Sequence, residues 1–209
     1  MTTARDLMIV ALDVTPDVPS GVTAVREVGQ GDLALALAGA EAIDLLRAEA
    51  LTVEDDLLVP GPPSEPDDPL LAEAAAALVR EEPYESVEDW LWRRGRGLSS
   101  AYTDRLEADG VVGRPRGRLL GVRSARTAPV DSPARRRATA RWASDEPVLA
   151  ALATAVGLRE DPADGGPDRL DDAVVTILAA VGDAVAELDA VRRRRSIEDA
   201  AFNNVWRAF

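Results

Sequence analysis

The sequence predicts a mainly α fold: a single domain over residues 1–209, with two small β-hairpins. Hydrophobic residues make up 46% of the chain, which is enough for a packed core. Its aromatic residues are four Trp, two Tyr and two Phe. Because Ala, Leu and Val supply most of the apolar content, helices packed closely on small side chains are favoured. Apolar residues recur at three- and four-residue spacing along most of the chain, and no fixed repeat or linker is visible.

The first 80 residues contain three helical patterns and one hairpin pattern. Residues 7–14 have one apolar face, and residues 32–48 are apolar nearly all round, which predicts a helix buried centrally. Two short apolar runs, 51–53 and 57–59, flank three acidic residues and predict a small hairpin. Residues 68–80 predict a further helix.

A helix with two tryptophans follows. Ser86 is its predicted N-cap, with Asp89 at the third helical position. Trp90 and Trp92 are two residues apart, so they lie on different faces of the helix. We expect one of them in the core and the other at the surface, where an indole ring suits a membrane interface.

Gly95 and Gly97 end that helix. Residues 99–109 predict the next helix, with Gly110 as its C-terminal cap. Residues 111–112 and 119–122 then predict a second hairpin, whose tip is the basic run 114–118.

Four helices are predicted after residue 130. The first runs through Trp142 and the second through Val156. The third carries the longest apolar stripe, residues 170–191, and ends in Arg192–Arg195, whose charges complement the helix dipole. The predicted N-caps are Asp131 or Ser132, Ser144, and, for the last helix, Ser196.

The charge of the chain is strongly segregated. The net charge is −13, and all 24 basic residues are arginine. Residues 93–141 hold 13 arginines and four acids, a balance of +9, whereas residues 54–89 hold 12 acids and one arginine, a balance of −11. Because guanidinium groups match phosphate oxygens geometrically, the basic stretch indicates a surface that meets an anion.

Two groups of arginines are the candidate binding residues. Arg93, Arg94 and Arg96 are predicted to hold the phosphate of a lipid headgroup. Near an anionic bilayer each such residue contributes about 1 kcal/mol within a Debye length. A second group on the hairpin is predicted to approach the bilayer or a second subunit; its members are Arg114, Arg116, Arg118 and Leu119.

Internal ion pairing is the simplest alternative, with the −11 and +9 stretches neutralising each other within the fold or between subunits. Exposed pairs contribute only about 0.2–1 kcal/mol each, so we expect some pairing but not a strong organising effect.

Nucleic acid and metal are weaker alternatives. Residues 85–118 have the element order of a winged helix-turn-helix, but the reading helix would hold three acids and one arginine and repel phosphates. Residues 161–168 resemble a calcium loop only loosely, because the ligand spacing is wrong. We expect neither partner.

The absence of cysteine and histidine excludes several functions. Disulfides, thiolate nucleophiles and zinc–thiolate sites are impossible, and the commonest general base is missing. We expect no catalytic activity and no cofactor. No secretory signal is visible, and no window reaches the ~18 uninterrupted apolar residues of a membrane span. The predicted location is cytoplasmic, with peripheral contact on the inner membrane face.

Several segments carry a family resemblance by their order and spacing. They are residues 39–46 with 50–53, 68–74, 87–91, and 104–112 with 119–122. Together they resemble the Golgi phosphoprotein 3-like family, in its bacterial branch, over about residues 5–209.

The resemblance implies a compact helical fold around a central helical bundle, with a protruding hairpin. It also implies peripheral binding of phosphatidylinositol 4-phosphate without catalysis. The family's headgroup pocket uses one tryptophan and three arginines, which fall by position on Gly29, Ala38, Arg96 and Ser99. Arg96 keeps the family residue, and the resemblance places a rebuilt pocket around Arg93, Arg94 and Arg96.

The expected function is therefore that of a non-enzymatic, peripheral protein that binds anionic lipid with a phosphoinositide-type headgroup. The alternative is a protein-interaction or scaffold module, in which the basic face of one copy meets the acidic face of another and a homo-oligomer forms through the hairpin.

Overall fold

The computed structural model describes residues 2–14, 29–113, 128–159 and 170–206. Within these ranges the chain forms eight helices and two antiparallel strand pairs, which confirms the predicted fold class. The helices are α1 (Thr3–Val14), α2 (Gln30–Arg47), α3 (Pro69–Ala76), α4 (Val87–Arg94), α5 (Leu98–Ala108), α6 (Pro133–Ala143), α7 (Pro147–Ala155) and α8 (Asp172–Trp206). The strands are β1 (Leu51–Glu54), β2 (Leu57–Pro60), β3 (Val112–Gly113) and β4 (Ala128–Pro129).

Helix α2 lies at the centre of the fold. Thirteen of its 18 residues are buried, and Leu37, Ile43 and Leu45 are completely inaccessible. Helices α1, α3, α4, α5, α7 and α8 all contact it. The burial predicted from its all-round apolar pattern is confirmed, and α2 is the element on which most of the others pack.

Helices α2 and α8 approach each other closely at Gly39. A Cβ atom at this position would lie 2.4 Å from Cγ2 of Val181, well inside van der Waals contact. Glycine is required here for packing, although it costs about 0.5–1 kcal/mol relative to alanine inside a helix. The predicted α8 stripe supplies this contact surface, and Ile177 and Val181 are fully buried.

Side-chain caps begin several helices. The Asp68 carboxylate accepts hydrogen bonds from the N–H groups of Leu70 and Leu71 at the start of α3. The Ser86 hydroxyl accepts the N–H of Asp89 at 3.0 Å and donates to the Asp89 carboxylate at 2.8 Å. The predicted cap of α4 is therefore confirmed.

The N-cap of α6 decides between the two predicted residues, and the N-cap of α7 differs from the predicted one. Ser132 caps α6, and Asp131 does not. The prediction that Ser144 is the N-cap of α7 is wrong. Ser144 is the C-cap residue of α6, and its hydroxyl donates to the backbone carbonyl of Arg141. Helix α7 is capped instead by Glu146, whose carboxylate accepts the N–H of Leu149 at 2.8 Å.

Helix α8 continues through Ser196, where the sequence predicted a break and a new cap. It has 35 residues, which corresponds to a length of about 52 Å. No Gly or Pro lies between residues 183 and 206, and Arg192–Arg195 are strong helix formers, so nothing interrupts the backbone hydrogen bonds.

The first predicted hairpin is confirmed, and the first strand of the second is present at Val112. β1 pairs with β2, with Leu51 opposite Pro60. β3 pairs with β4, with Val112 opposite Pro129. The backbone N–H of Val130 also bonds to the carbonyl of Val111 at 2.8 Å. The strand predicted at 111–112 therefore pairs with the segment that enters α6, whereas the predicted partner strand at 119–122 lies outside the described residues.

The C-terminal cap of α5 at Gly110 is also confirmed. The N–H of Gly110 bonds to the carbonyl of Glu107, and the N–H of Val111 bonds to the carbonyl of Leu106. This pair of bonds ends α5 and directs the chain into β3.

We expect Gly39→Ala to lower the free energy of unfolding by about 1–3 kcal/mol, because the added methyl group overpacks α2 against α8. Gly182→Ala is the matched control. Gly182 is also inside a helix, but a Cβ atom there meets nothing within 4 Å, so this change should stabilise by about 0.5–1 kcal/mol. Urea unfolding measures both signs. An equal gain in the two variants would contradict the close packing at Gly39.

Candidate functional site

The turn between α4 and α5 presents Arg96 at the protein surface. Gly95 lets this turn pass close to α2, since a Cβ atom there would lie 2.7 Å from the carbonyl oxygen of Leu91 and 3.4 Å from that of Ala34. Gly97 has a φ of 73°, in the left-handed region that favours glycine. Arg96 is held between these two constrained positions and is exposed.

Arg96 lines a surface pocket of about 310 Å³, which lies between the start of α2, the α4–α5 turn and α8. Ser99 and Ser100, at the start of α5, add hydroxyl groups to its lining. Trp92 and Leu188 provide an apolar wall. The pocket therefore combines one cation, two hydroxyl groups and one indole ring.

The two tryptophans of α4 have the contrasting environments that the sequence predicted. Trp90 is fully buried, and its Nε1–H donates to the backbone carbonyl of Ala38 at 3.1 Å. Trp92 is half-buried and lines the pocket.

The start of α2 adds positive character to the pocket. Gln30 and Gly31, in the first turn, line it. The N-cap residue Gly29 makes no side-chain hydrogen bond to the helix. The first N–H groups of a helix have no partner within it and carry the positive end of the helix dipole, which is favourable for an anion.

Arg192 of α8 lies beside the same helix start. Its Nη1 is 2.7 Å from both carboxylate oxygens of Asp32, a side chain with 3% exposure. A Cβ atom at Gly31 would lie 2.8 Å from Cδ2 of Leu188 and 3.0 Å from Nη2 of Arg192. Glycine at this position leaves room for the guanidinium, which neutralises the buried carboxylate in the first turn of α2.

Arg94, a predicted headgroup residue, is part of a buried ion pair. Its Nε and Nη2 donate to the two carboxylate oxygens of Glu41 at 2.8 and 3.0 Å, and Nη2 also donates to the carbonyl of Leu70 at 3.0 Å. The buried Tyr102 hydroxyl donates to the same carboxylate at 3.0 Å. Burial raises the pKa of Glu41 above its usual value, and the hydrogen bond and charge of Arg94 partly offset that effect.

Arg93, the second predicted residue, is paired at the surface. Its guanidinium binds both carboxylate oxygens of Glu85 at 2.6 Å and donates to the carbonyl of Ala77 at 3.1 Å. It also lies 5.3 Å from the centre of the Trp90 ring, within cation–π distance.

The structure therefore does not bring Arg93, Arg94 and Arg96 together around one concavity. Arg93 and Arg94 donate to two different carboxylates, those of Glu85 and Glu41, so they lie apart although they are consecutive in the chain. Arg96 lines the pocket, and within the described part of the chain it has no hydrogen bond or ion pair. The binding role predicted for the three arginines stays a prediction.

The hairpin residues predicted to contact a membrane or subunit, Arg114, Arg116, Arg118 and Leu119, lie outside the described residues.

A larger groove between α4 and α8 is unsuited to an anion. Its volume is about 520 Å³, and it is lined by Asp56, Glu88, Asp183 and Glu187 together with small apolar residues of α8. Four carboxylates would repel a phosphate group. The pocket at Arg96 is therefore the better anion site, although it is smaller.

Arginines of the basic stretch form internal ion pairs, as predicted, but mostly with other segments than expected. Arg135 binds Asp13 and Arg141 binds Asp6, both carboxylates of α1. Arg94 binds Glu41 of α2. The Arg93–Glu85 pair joins the basic stretch to the acidic stretch 54–89.

The structure also bears on a metal site and on a membrane-spanning helix, both of which the sequence analysis considered. In the parts of the chain that are described, no group of three or more acidic residues is arranged to hold a metal ion. The loop compared with a calcium site, residues 161–168, lies outside those parts. None of the described helices is both long and apolar enough to cross a bilayer.

Sequence reasoning found Arg96 but missed most of its neighbours. The sequence predicted one of the two α4 tryptophans at the surface without deciding which. It gave no signal that Gly31 and Leu188 line the pocket or that Arg192 lies beside Gly31. Arg192 and Asp32 are separated by 160 positions in the chain. Gly29 and Gly31, directly before an apolar helix, are the signal that could have indicated a helix start without a side-chain cap.

Removing Arg94 should be far more damaging than removing Arg96. We expect Arg94→Ala to cost about 3–5 kcal/mol of stability, because it leaves the buried Glu41 carboxylate without its cation. Arg96→Ala, at an exposed position, should stay within about 0.5 kcal/mol of the wild type. Urea unfolding measures both. Similar losses in the two variants would contradict the division into one arginine that stabilises the fold and one that only lines the surface pocket.

The raised pKa of Glu41 predicts a pH dependence of stability. The folded state holds this proton more tightly than the unfolded chain does. The contribution of Glu41 is therefore fully present below its usual pKa of about 4.3 and is lost as pH rises through the raised value. Glu41→Gln removes this contribution, so the unfolding free energy of the wild type minus that of the variant should decrease from about pH 4 to 7. A difference that grows with pH would show that the Arg94 ion pair outweighs burial.

Comparison with known families accounts for nearly the whole chain. A family model described as Golgi phosphoprotein 3 (GPP34) matches residues 4–195. No curated protein gives a match. The matched range contains the pocket at Arg96, the buried Arg94–Glu41 pair and α8 as far as Arg195.

Proposed function

This chain belongs to the Golgi phosphoprotein 3 (GPP34) family, and from that premise we propose that it is a peripheral protein that binds the headgroup of an anionic phospholipid at the Arg96 pocket. The observation that carries the proposal is the contrast among its neighbouring arginines. Arg93 and Arg94 are paired inside the molecule, whereas Arg96 lines a pocket and has no hydrogen bond or ion pair within the described residues.

The groups around Arg96 fit the chemistry of a phosphate ester. A guanidinium presents two parallel N–H donors to phosphate oxygens, and the hydroxyl groups of Ser99 and Ser100 add further donors. The start of α2 supplies its dipole. The indole of Trp92 offers an apolar face for the glycerol or inositol part of a headgroup.

A phosphoinositide-type headgroup, with phosphatidylinositol 4-phosphate as the reference lipid, is the form of the proposal that family membership supports. The positions that resemble the family's pocket lie close to this site. Gly29 directly precedes the pocket residues Gln30 and Gly31, and Arg96 and Ser99 line the pocket itself. Ala38 is different, because it is buried two turns deeper and its carbonyl bonds to Trp90.

The net charge of −13 is compatible with this role because charges act locally in physiological salt. Charges beyond the Debye length of about 8 Å are largely screened. The four carboxylates of the larger groove are not among the residues that line the Arg96 pocket. We propose that the side bearing Arg96 faces the cytoplasmic leaflet and that the protein acts by binding, without catalysis.

A scaffold role is the second candidate, and the acidic groove favours it. The groove joins an apolar floor from α8 to four carboxylates, a combination that fits a basic segment of another protein molecule. Sedimentation at increasing salt tests this idea: a complex that dissociates with salt and ignores lipid would support it over the lipid-binding proposal.

We expect Arg96→Ala to weaken binding of the soluble phosphatidylinositol 4-phosphate headgroup by about tenfold or more, since a charge-assisted hydrogen bond contributes about 1.5–3 kcal/mol. Arg80→Ala removes the same charge from an exposed site outside the pocket and is the matched control. Titration calorimetry gives the affinities, and quenching of Trp92 fluorescence, assigned with Trp92→Phe, locates the ligand. Equal affinity of both variants and the wild type would contradict the proposal.

A further inference from the structure

Arg192 lies beside the Arg96 pocket and is held there by a buried carboxylate. Its Nη1 is 2.7 Å from both carboxylate oxygens of Asp32, a side chain with 3% exposure, whereas the Arg192 side chain keeps 38% exposure. Leu188, one turn before Arg192, lines the pocket, and so does Gly31. The guanidinium is therefore anchored at one nitrogen and accessible to solvent next to the pocket.

The contact with Asp32 uses only one nitrogen of the guanidinium. Arg93 and Arg94 each bind their carboxylate with both Nε and Nη2, the edge that carries two parallel N–H groups. Arg135 uses the same edge for its carboxylate partner. In Arg192 the two oxygens of Asp32 share Nη1, and within the described residues Nε and Nη2 make no hydrogen bond. The edge that matches two phosphate oxygens is thus the one that Arg192 does not use for its ion pair.

Two glycines leave the space that this guanidinium fills. A Cβ atom at Gly29 would lie 2.9 Å from both Nη1 and Nη2, and one at Gly31 would lie 3.0 Å from Nη2. A larger residue at either position would displace the guanidinium. Because Gly31 belongs to the pocket lining, Nη2 of Arg192 lies at the rim of the pocket that Arg96 lines.

We propose that Arg192 is a second phosphate-binding residue of the Arg96 pocket, and that the pocket takes a headgroup with two phosphate groups, one for each arginine. This inference rests on the proposed function and specifies its ligand: an inositol headgroup that carries a phosphate monoester besides the phosphodiester of the lipid. The pocket volume of about 310 Å³ is at the small end of the range typical of ligand sites, which suits one such headgroup.

Asp32 positions Arg192 for this role. Its carboxylate binds Nη1 and fixes the guanidinium in advance, which lowers the entropy that is lost when a ligand binds. A lysine at position 192 could neutralise Asp32 equally well, but it would lack the pair of parallel donors. Comparing arginine with lysine therefore separates phosphate binding from neutralisation of the buried carboxylate.

Arg192→Lys tests the proposal, with Arg193→Lys as the matched control. Arg193 is the next residue of α8, has 71% side-chain exposure and pairs with Asp189 one turn back. Titration calorimetry with inositol 1,4-bisphosphate and inositol 1-phosphate compares two phosphates with one. We expect Arg192→Lys to bind the bisphosphate about tenfold more weakly and the monophosphate at most about twofold more weakly. Arg193→Lys should bind both probes as the wild type does.

A double variant, Asp32→Asn with Arg192→Gln, gives a second test. It keeps the net charge and replaces the ion pair by a neutral pair of hydrogen-bonding side chains, so the same selective loss of bisphosphate binding is expected. Circular dichroism checks that each variant stays folded. The wild type itself should bind the bisphosphate about tenfold more tightly than the monophosphate, because the second arginine then has a partner.

Equal affinity of the wild type for the two probes would overturn the second contact. So would an equal loss of both probes in Arg192→Lys, which is the result of a purely structural role. The failure of this inference is distinct from that of the proposed function. If bisphosphate binding requires Arg96 and is unchanged in Arg192→Lys, the second contact fails and the headgroup site stands. If the wild type binds neither probe, both fail.

Discussion

The buried ion pair between Arg94 and Glu41 is the interaction on which the functional end of the molecule depends. It joins the last turn of α4 to the middle of α2, and the Tyr102 hydroxyl ties α5 to the same carboxylate. Three helices therefore share one polar contact inside an apolar core. Since the Gly95–Gly97 turn lies between α4 and α5, this contact fixes where Arg96 points. A buried pair of this kind adds little net stability over an apolar packing but is costly to break, which suits a role in setting geometry.

The distribution of charge pairs gives the fold its second organising feature. Several arginines of the basic stretch neutralise carboxylates of α1 and α2, where burial makes an unpaired charge expensive. Arg192 does the same for Asp32, next to the pocket. Arg96, which lines the pocket, has no such partner among the described residues. Among the described arginines of residues 93–141, those in ion pairs serve the fold, and the proposed binding role falls on Arg96.

Local features of the fold were predictable from the sequence, and distant contacts were not. Capping by Ser86 and Asp68, the core position of one α4 tryptophan and the burial of α2 follow from residues within one or two turns of each other. The cap at Glu146 was missed because Ser144, two positions earlier, has the stronger cap propensity but is used by α6. The strand partner of Val112 and the partners of Arg94 and Arg192 depend on how helices pack. Nothing near Arg94 in the chain distinguishes it from Arg96, so three adjacent arginines appeared equivalent until the fold separated them.

The central claim is that Arg96 binds an anion while Arg93 and Arg94 hold the fold together. Nuclear magnetic resonance of the arginine Nε–H groups tests this most directly, because each guanidinium reports its own hydrogen bonding. Single arginine-to-lysine variants assign the signals. On titration with the soluble phosphatidylinositol 4-phosphate headgroup, the Arg96 signal should shift in a saturable way, while the signals of Arg93 and Arg94 should stay at the positions set by Glu85 and Glu41. A titration that moves Arg93 or Arg94 and leaves Arg96 unchanged would contradict the account.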